Sequence, residues 1–317
     1  MKKSKVVIIT LNYNQSKMTL ECIDSILKSS YRNYKLIVVD NGSRKEEYDY
    51  LINNVDSKVL VRKIEKNCGY VGGVNHGFSE ANEFNPDYFL IMNNDTLLDE
   101  KAIHYLFEAA ERNKQNAIVS GKIYHFDKPN ILQRTGSFFS DKNYLKEIYP
   151  GKDEEDRGQH DKEEERDMLD DIFWLIPKKI FQEVGYYSNN FFLYCEQGDY
   201  ALRAVKKGFK LVYTPKAKIW HKGSVTTGEG NKLSPAVNFW RNKGSVIYLY
   251  RNIKKKYFYL KLLKSLPKLI IKNTFNFLYL RSTNDKRSDY AALVGYLYGI
   301  KWIFNKKPDD GYNPFIK

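Results

Sequence analysis

A chain of 317 residues with 42% hydrophobic content has room for one large α/β domain plus an appendage, and is too apolar to be disordered. Its net charge of +14 is uneven: residues 241–317 carry 17 Lys and Arg against 4 Asp and Glu (+13), whereas residues 151–171 carry 4 against 11 (−7). Three scattered cysteines (Cys22, Cys68, Cys195) without CxxC spacing argue against a zinc site and fit a reducing compartment. The apolar run behind the basic N-terminus is too short for a signal peptide, and no run of about 18 apolar residues predicts a membrane-spanning helix. Aromatic content is high at 15%. Stacking, packing and a membrane interface would each use it.

In chain order, residues 6–10 read as a first strand and 19–27 as a helix with apolar Leu20, Ile23, Ile26 and Leu27 at helical spacing. Residues 36–39 form a second strand ending at Asp40-Asn41-Gly42-Ser43. A helix at 46–52 and a strand at 59–64 follow. Residues 67–77 read as a glycine-rich loop leading into a helix that ends near Glu83. Residues 88–92, Tyr-Phe-Leu-Ile-Met, are a buried strand that ends at Asn93-Asn94-Asp95-Thr96. A helix at 103–110 and a strand at 117–121 complete an alternation that predicts an α/β fold with a Rossmann-like, mostly parallel sheet.

The alternation then fails. Residues 126–150 hold short β-like pieces, and 151–167 read as a charged, mobile surface loop. A strand at 171–176, helices at 178–184 and 201–207, and short strands at 211–214 and 218–221 follow. In the basic last quarter, Lys261, Lys264, Lys268 and Lys272 fall on one helical face amid Leu and Ile, and Pro267 predicts a kink or a second helix. With Tyr257, Phe258, Tyr259, Phe275, Phe277 and Trp302 nearby, this pattern suits an anionic membrane surface. It also suits a helical cap packed on the catalytic domain. A nucleic-acid partner is not expected, because no stacking aromatics accompany the lysines in a known RNA or DNA motif.

Several polar residues sit where an α/β sheet binds ligands, beyond the carboxyl ends of its strands. Asp40 is either a turn residue or an acceptor for a nucleoside, and Asn12 and Tyr13, after the first strand, are equally open. The stretch Asn67-Cys68-Gly69-Tyr70-Val71-Gly72-Gly73-Val74-Asn75-His76-Gly77 lets a ligand approach backbone closely, or is an ordinary loop before a helix. Asp95 can hold a divalent metal and through it a diphosphate. Glu196 and Asp199 are either helix-capping carboxylates or candidates for a general base. His221, after Ile219-Trp220, is either structural or a metal ligand through its neutral imidazole.

Taken in order, Thr-Leu-Asn-Tyr-Asn, Val-Val-Asp-Asn-Gly-Ser, Asn-x-Gly-x-x-Gly-Gly-x-Asn-x-Gly, Asn-Asn-Asp-Thr, Glu-x-x-Asp-x-x-x-Arg and Ile-Trp-His closely resemble glycosyltransferase family 2 over about residues 4–225. Within that family they look like the bacterial rhamnosyltransferase-like branch that builds surface polysaccharide. The resemblance implies a GT-A catalytic domain over residues 1–225, with a nucleotide-sugar half to about 121 and an acceptor half to 225. A basic helical region at 226–317 would follow. It also implies an inverting, metal-dependent enzyme. Asn12, Tyr13 and Asp40 would meet the nucleoside, and Asn67, Gly73, Asn75 and Asn94 would lie near the donor. Asp95, His221 and Asn93 would hold Mn²⁺ or Mg²⁺, and Glu196 or Asp199 would serve as base. The donor would be dTDP-rhamnose or a UDP-hexose. The acceptor would be a glycan, or an oligosaccharide on undecaprenyl diphosphate, at the cytoplasmic face of the cell membrane.

Two departures stand out. The family commonly has Glu-Asp-x-Asp where this chain has Glu196-Gln197-Gly198-Asp199, so the usual base is replaced by Gln197, which cannot take a proton. Asn93 replaces the first carboxylate of the metal motif. A catalytically weak or inactive sugar-nucleotide-binding relative is therefore the competing reading.

Overall fold

The computed structural model describes residues 4–140, 146–223, 234–278 and 283–307, without the side chains of 272–278 and 283–285. The chain divides into two compact units. The first spans residues 1–140, 145–187 and 200–223; the second spans 141–144, 188–199 and 224–317.

The first unit opens with the expected alternation: β1 (Val6–Asn12), α1 (Ser16–Leu27), β2 (Tyr34–Asn41), α2 (Lys45–Asn54), β3 (Leu60–Ile64), α3 (Gly69–Asn82) and β4 (Tyr88–Met92). Strands β3, β2, β1 and β4 lie side by side and parallel. β1 and β4 are wholly apolar through Ile9 and Met92 and wholly buried there, as parallel strands covered on both faces must be.

Gly72, Gly73 and Gly77 lie inside helix α3 rather than in a loop, and Gly69, with φ 75°, opens that helix. Their role is close packing. A Cβ on Gly77 would stand 2.4 Å from the Ile9 methyl, and one on Gly73 2.9 Å from Leu11, so α3 sits tightly on β1.

The elements that follow are β5 (Thr96–Leu98), α4 (Ala102–Arg112), β6 (Ala117–His125), β7 (Leu132–Arg134), β8 (Phe138–Phe139), β9 (Glu147–Ile148), β10 (Glu164–Glu165), β11 (Phe173–Pro177), α5 (Lys178–Val184), α6 (Glu196–Lys206) and β12 (Lys210–His221). The sheet is mixed. β11 lies antiparallel between β4 and β6, β12 runs parallel to β6, and β5 pairs antiparallel with β12. β12 is one strand where the sequence reads as two. Its register shifts between Tyr213 and Lys218, around Pro215, which has no N–H to give the ladder.

The acidic stretch 151–167 is anchored rather than loose. Lys122 on β6 is 1% exposed, and its ammonium meets Asp156 at 2.7 Å and Asp161 at 2.5 Å. Tyr124 donates to the same Asp156 oxygen at 2.5 Å. Burial alone would raise the Asp156 carboxyl, but these hydrogen bonds prevail and hold it down at about 2.

In the second unit, α7 (Pro235–Asn252), α8 (Lys255–Leu278) and α9 (Thr283–Asn305) are joined by residues 188–199. A break at 225 would separate this stretch from its partners. Phe192 stacks on Trp240 at 4.2 Å, and the Trp302 indole donates to Asn190 at 3.2 Å. α7 and α9 approach closely, since a Cβ on Gly295 would lie 2.2 Å from the Phe239 carbonyl oxygen. α8 runs unbroken through Pro267. The proline is exposed and so is Leu263 one turn earlier, so water can take up the carbonyl that the missing N–H leaves. Lys261 and Lys268 line a cleft among these helices, and Lys264 and Lys268 are both exposed. The side chains of Lys272, Phe275 and Phe277 lie outside the described residues. Among the described residues, no helix is long and apolar enough to cross a membrane.

Candidate functional site

The strongest cluster stands at the carboxyl end of β4. Asn93, Asn94, Asp95 and Thr96 turn the chain from β4 into β5. The Asn93 N–H donates to the Ile172 carbonyl, and the Thr96 hydroxyl donates to the Asn93 carbonyl. Because β5 pairs with the end of β12, Thr96 lies opposite His221. The Lys222 N–H also donates to the Asp95 carbonyl at 2.8 Å. Residues 126 positions apart in sequence therefore meet: His221 Nε2 stands 3.2 Å from Asp95 Oδ1, with the two side chains 11% and 10% exposed.

Gln133, on β7, sets the imidazole. Its Oε1 lies 2.6 Å from His221 Nδ1. With that oxygen accepting an N–H from Nδ1, the ring is oriented so that Nε2 faces the carboxylate. A carboxylate oxygen and an imidazole nitrogen this close are joined by a proton or by a cation. The donor set, one carboxylate oxygen and one imidazole nitrogen, fits a divalent cation that takes its remaining ligands from phosphate and water. Among the described residues, no group of three or more His, Cys, Asp and Glu converges on such a site.

Behind this pair runs a chain of hydrogen bonds. The Asn94 amide donates to the Thr19 hydroxyl at 2.8 Å, and that hydroxyl donates to Asn12 Oδ1 at 2.8 Å. The Asn12 amide donates to Asp40 Oδ2 at 2.7 Å, and Asp40 Oδ1 accepts the Ser43 N–H at 3.1 Å. Asn12 and Asp40 are each 0% exposed, and through these hydrogen bonds they brace the strand ends from behind. Tyr13, the next residue, is partly exposed.

Two further sequence candidates also serve packing. Asn75 clamps the Tyr187 backbone, donating to its carbonyl at 3.0 Å and accepting its N–H at 2.9 Å. Asn67 accepts the Gly69 N–H at 2.8 Å and the Asn41 amide at 3.3 Å, which fixes the start of α3. Gly73 likewise packs against Leu11.

The second unit holds Glu196 and Asp199 in the first turn of α6. Asp199 is 1% exposed and locked: Arg251 Nε and Nη2 reach its two oxygens at 2.7 and 3.2 Å, and Asn252 donates at 3.1 Å. A carboxylate held by a guanidinium fork is a poor proton acceptor. Glu196 is 5% exposed. It follows two residues with left-handed backbone, Tyr194 (φ 69°) and Cys195 (φ 71°). Such non-glycine geometry costs on the order of 1–3 kcal/mol per residue and concentrates at functional sites.

The family 2 glycosyl transferase profile matches residues 6–185, more than half of the chain. The chain belongs to glycosyl transferase family 2. Among curated relatives of this family 2 chain, glycosyltransferase GlyG of Streptococcus pneumoniae serotype 4 is 28% identical over 125 residues, 39% of this chain and 40% of its own. The poly-beta-1,6-N-acetyl-D-glucosamine synthase of Staphylococcus aureus is 21% identical over 210 residues, 66% of this chain and 47% of its own. The chain thus spans less than half the length of either relative. A crystal structure of GalNAc-T7 with UDP, GalNAc and Mn²⁺ superposes with a TM-score of 0.61 at 13% identity, covering 96% of this chain and 57% of the other. That likeness shows the GT-A fold.

Sequence reasoning about this family 2 domain missed Gln133 and Asp171. Asp171 precedes β11, whose pairing with β4 sets it alongside the Asn93–Asn94 turn. It accepts the Tyr187 hydroxyl at 2.8 Å. Burial pushes its carboxyl up, to about 6, against hydrogen bonds from Tyr187 and Tyr70 that pull it down. Neighbouring Asp-Asp at 170–171 was the available signal. Cys22, under the same turn, is an inert packed thiol, pushed up to about 12 by burial.

Proposed function

We propose that this glycosyltransferase moves a sugar, with inversion, from a nucleoside-diphosphate donor of the dTDP-rhamnose or UDP-hexose type to a hydroxyl of a glycan acceptor. The acceptor is lipid-linked, and the product belongs to bacterial surface polysaccharide, as in the rhamnosyltransferase-like branch. The observation that carries the reading is the Asp95–His221 pair at the end of β4, held by Gln133. The polysaccharide synthase among the relatives supports a glycan acceptor, and the neighbour solved with UDP, GalNAc and Mn²⁺ supports a nucleotide-sugar donor with a divalent ion.

Asp95 and His221 would hold Mn²⁺ or Mg²⁺, with Asn93 offering an oxygen ligand. The ion supplies charge neutralisation for the departing diphosphate. Glu196 takes the proton from the acceptor hydroxyl, whose oxygen forms the bond to the anomeric carbon. The bond from that carbon to the diphosphate oxygen breaks, and the nucleoside diphosphate leaves with the electron pair. Residues 1–225 are the proposed catalytic part, and the basic helical region 226–317 is the proposed membrane-facing part. Lysine and arginine near an anionic surface contribute about 1 kcal/mol each, so several suffice for peripheral attachment at the cytoplasmic face.

A calorimetric and thermal-shift panel of UDP and dTDP sugars, with Mn²⁺ and with EDTA, tests the donor site. A metal-dependent shift with one nucleotide class is expected, and Asp95→Ala should remove it. Unchanged Mn²⁺ dependence in Asp95→Ala would reject the metal assignment. The second reading, a binding relative without turnover, draws on Gln197 and on the Arg251 fork around Asp199. Donor binding without transfer to any acceptor would favour it.

A further inference from the structure

The second unit contains a cleft of about 310 Å³ among α7, α8 and α9. Leu249 and Phe258 are among its apolar lining residues, and its polar lining residues are Asn242, Ser245, Ser265, Tyr296 and the two lysines Lys261 and Lys268. The lysines stand seven residues apart, two turns of α8 on one face. Among the described residues no carboxylate lines the cleft, and its ionisable lining is two lysines and a phenol. The Tyr296 phenol is pushed up by burial, against a hydrogen bond from Ser265.

The outer surfaces of the same helices also expose large apolar side chains. Leu263 and Ile271 on α8 are 71% and 66% exposed, and Phe304 on α9 is 82% exposed. Lys256, Lys264 and Lys301 are exposed on these helices as well. An apolar cleft with lysines at its polar edge, on helices that also present bare leucine, isoleucine and phenylalanine, matches one kind of ligand. That ligand has a phosphorylated head and a hydrocarbon tail.

We propose that this cleft binds a single-chain phosphorylated amphiphile, with Lys261 and Lys268 holding the phosphate or diphosphate head and Leu249 and Phe258 receiving the first part of the tail. The inference deepens the lipid-linked acceptor reading and rests on it for the presence of a long tail. Free phosphate and a lipid headgroup share the head chemistry, so the tail is what separates them.

The test is calorimetric titration of the full chain, without nucleotide sugar, with three probes: farnesyl diphosphate below its micelle threshold, inorganic pyrophosphate, and dodecyl maltoside. Farnesyl diphosphate should bind at least about tenfold tighter than either other probe, a difference of about 1.4 kcal/mol. The double variant Lys261→Gln, Lys268→Gln should weaken it at least about tenfold and flatten its salt dependence. Ser245→Trp, which fills the cleft, should also weaken it. Pyrophosphate binding as tightly as farnesyl diphosphate would overturn the proposal, and so would equal affinity for the uncharged maltoside. A double variant that melts normally and binds unchanged would place the site elsewhere. A donor titration on the same protein keeps the readings apart: amphiphile binding without donor binding would sink the transfer reading and leave the cleft standing.

Discussion

Asp95 and Asp199 are both buried carboxylates paired with a nitrogen base from a distant part of the chain, and they do different work. Asp95 faces one imidazole nitrogen at 3.2 Å, and that imidazole is oriented from its other side by Gln133. Asp199 is gripped by two guanidinium nitrogens and an amide. The first arrangement fits a proton or a cation between its two groups; the second holds both carboxylate oxygens directly. A family motif read residue by residue treats both as site carboxylates. Their partners tell them apart, because an oxygen whose lone pairs are taken up by a fixed guanidinium has little left for chemistry.

The largest expected effect tests that distinction on the base. Glu196→Gln should lower turnover by about 10²–10⁴-fold, the range of a lost general base, with donor affinity unchanged. Asp199→Asn should chiefly reduce stability. If Asp199→Asn abolishes turnover while melting like the wild type, the base is Asp199 and the contrast drawn here is reversed. Next comes Lys122→Met, which removes a buried ammonium from Asp156 and Asp161. It should cost about 3 kcal/mol in denaturant unfolding. In the wild type, the Asp156 contribution is present above about pH 4 and is lost as pH falls toward 2, since its carboxyl is held down in the fold. An unchanged midpoint in Lys122→Met would show that the acidic stretch is not anchored by this pair.

Gln133→Leu sharpens the Asp95 side of the comparison. It should weaken Mn²⁺ affinity by about 10–100-fold, the usual effect of losing a partner that orients a metal-bound histidine, while leaving the melting temperature in EDTA close to wild type. Unaltered affinity would remove Gln133 from the site. The smallest effect concerns Asp171. Its carboxyl is raised in the fold, so its contribution to stability is present below about pH 4 and is lost as pH rises through about 6. Asp171→Asn should therefore lie close to the wild type near pH 4 and exceed it by about 3 kcal/mol at pH 7. Equal stability of the two at pH 7 would contradict a buried, raised carboxyl.

Much of the first unit was legible because β1, β2 and β4 are short apolar runs closed by turn residues, and α1 repeats its apolar positions at helical spacing. The segment 69–77 was misread because four glycines look like a loop. The contact that makes them helical, α3 against Ile9 and Leu11, is not encoded locally. The two halves of β12 were seen without their continuity, since Pro215 interrupts the pattern and only pairing with β6 and β5 carries the strand through. The stretch 151–167 carries 13 of its 17 residues as charges of mixed sign and lacks apolar periodicity; Lys122, some thirty positions earlier, holds it in place.

The sequence by itself determined the family, the GT-A alternation of strand and helix, and the position of Asp95 at a strand end, because those depend on local periodicity and turn chemistry. Tertiary structure decided which polar residues remain available. Sheet pairing brings His221 to Asp95, strand packing closes Asn12 and Asp40 away from solvent, and helix α7 delivers Arg251 to Asp199. Hydrogen-bond satisfaction of a buried group is settled by neighbours far along the chain, and no local pattern records it.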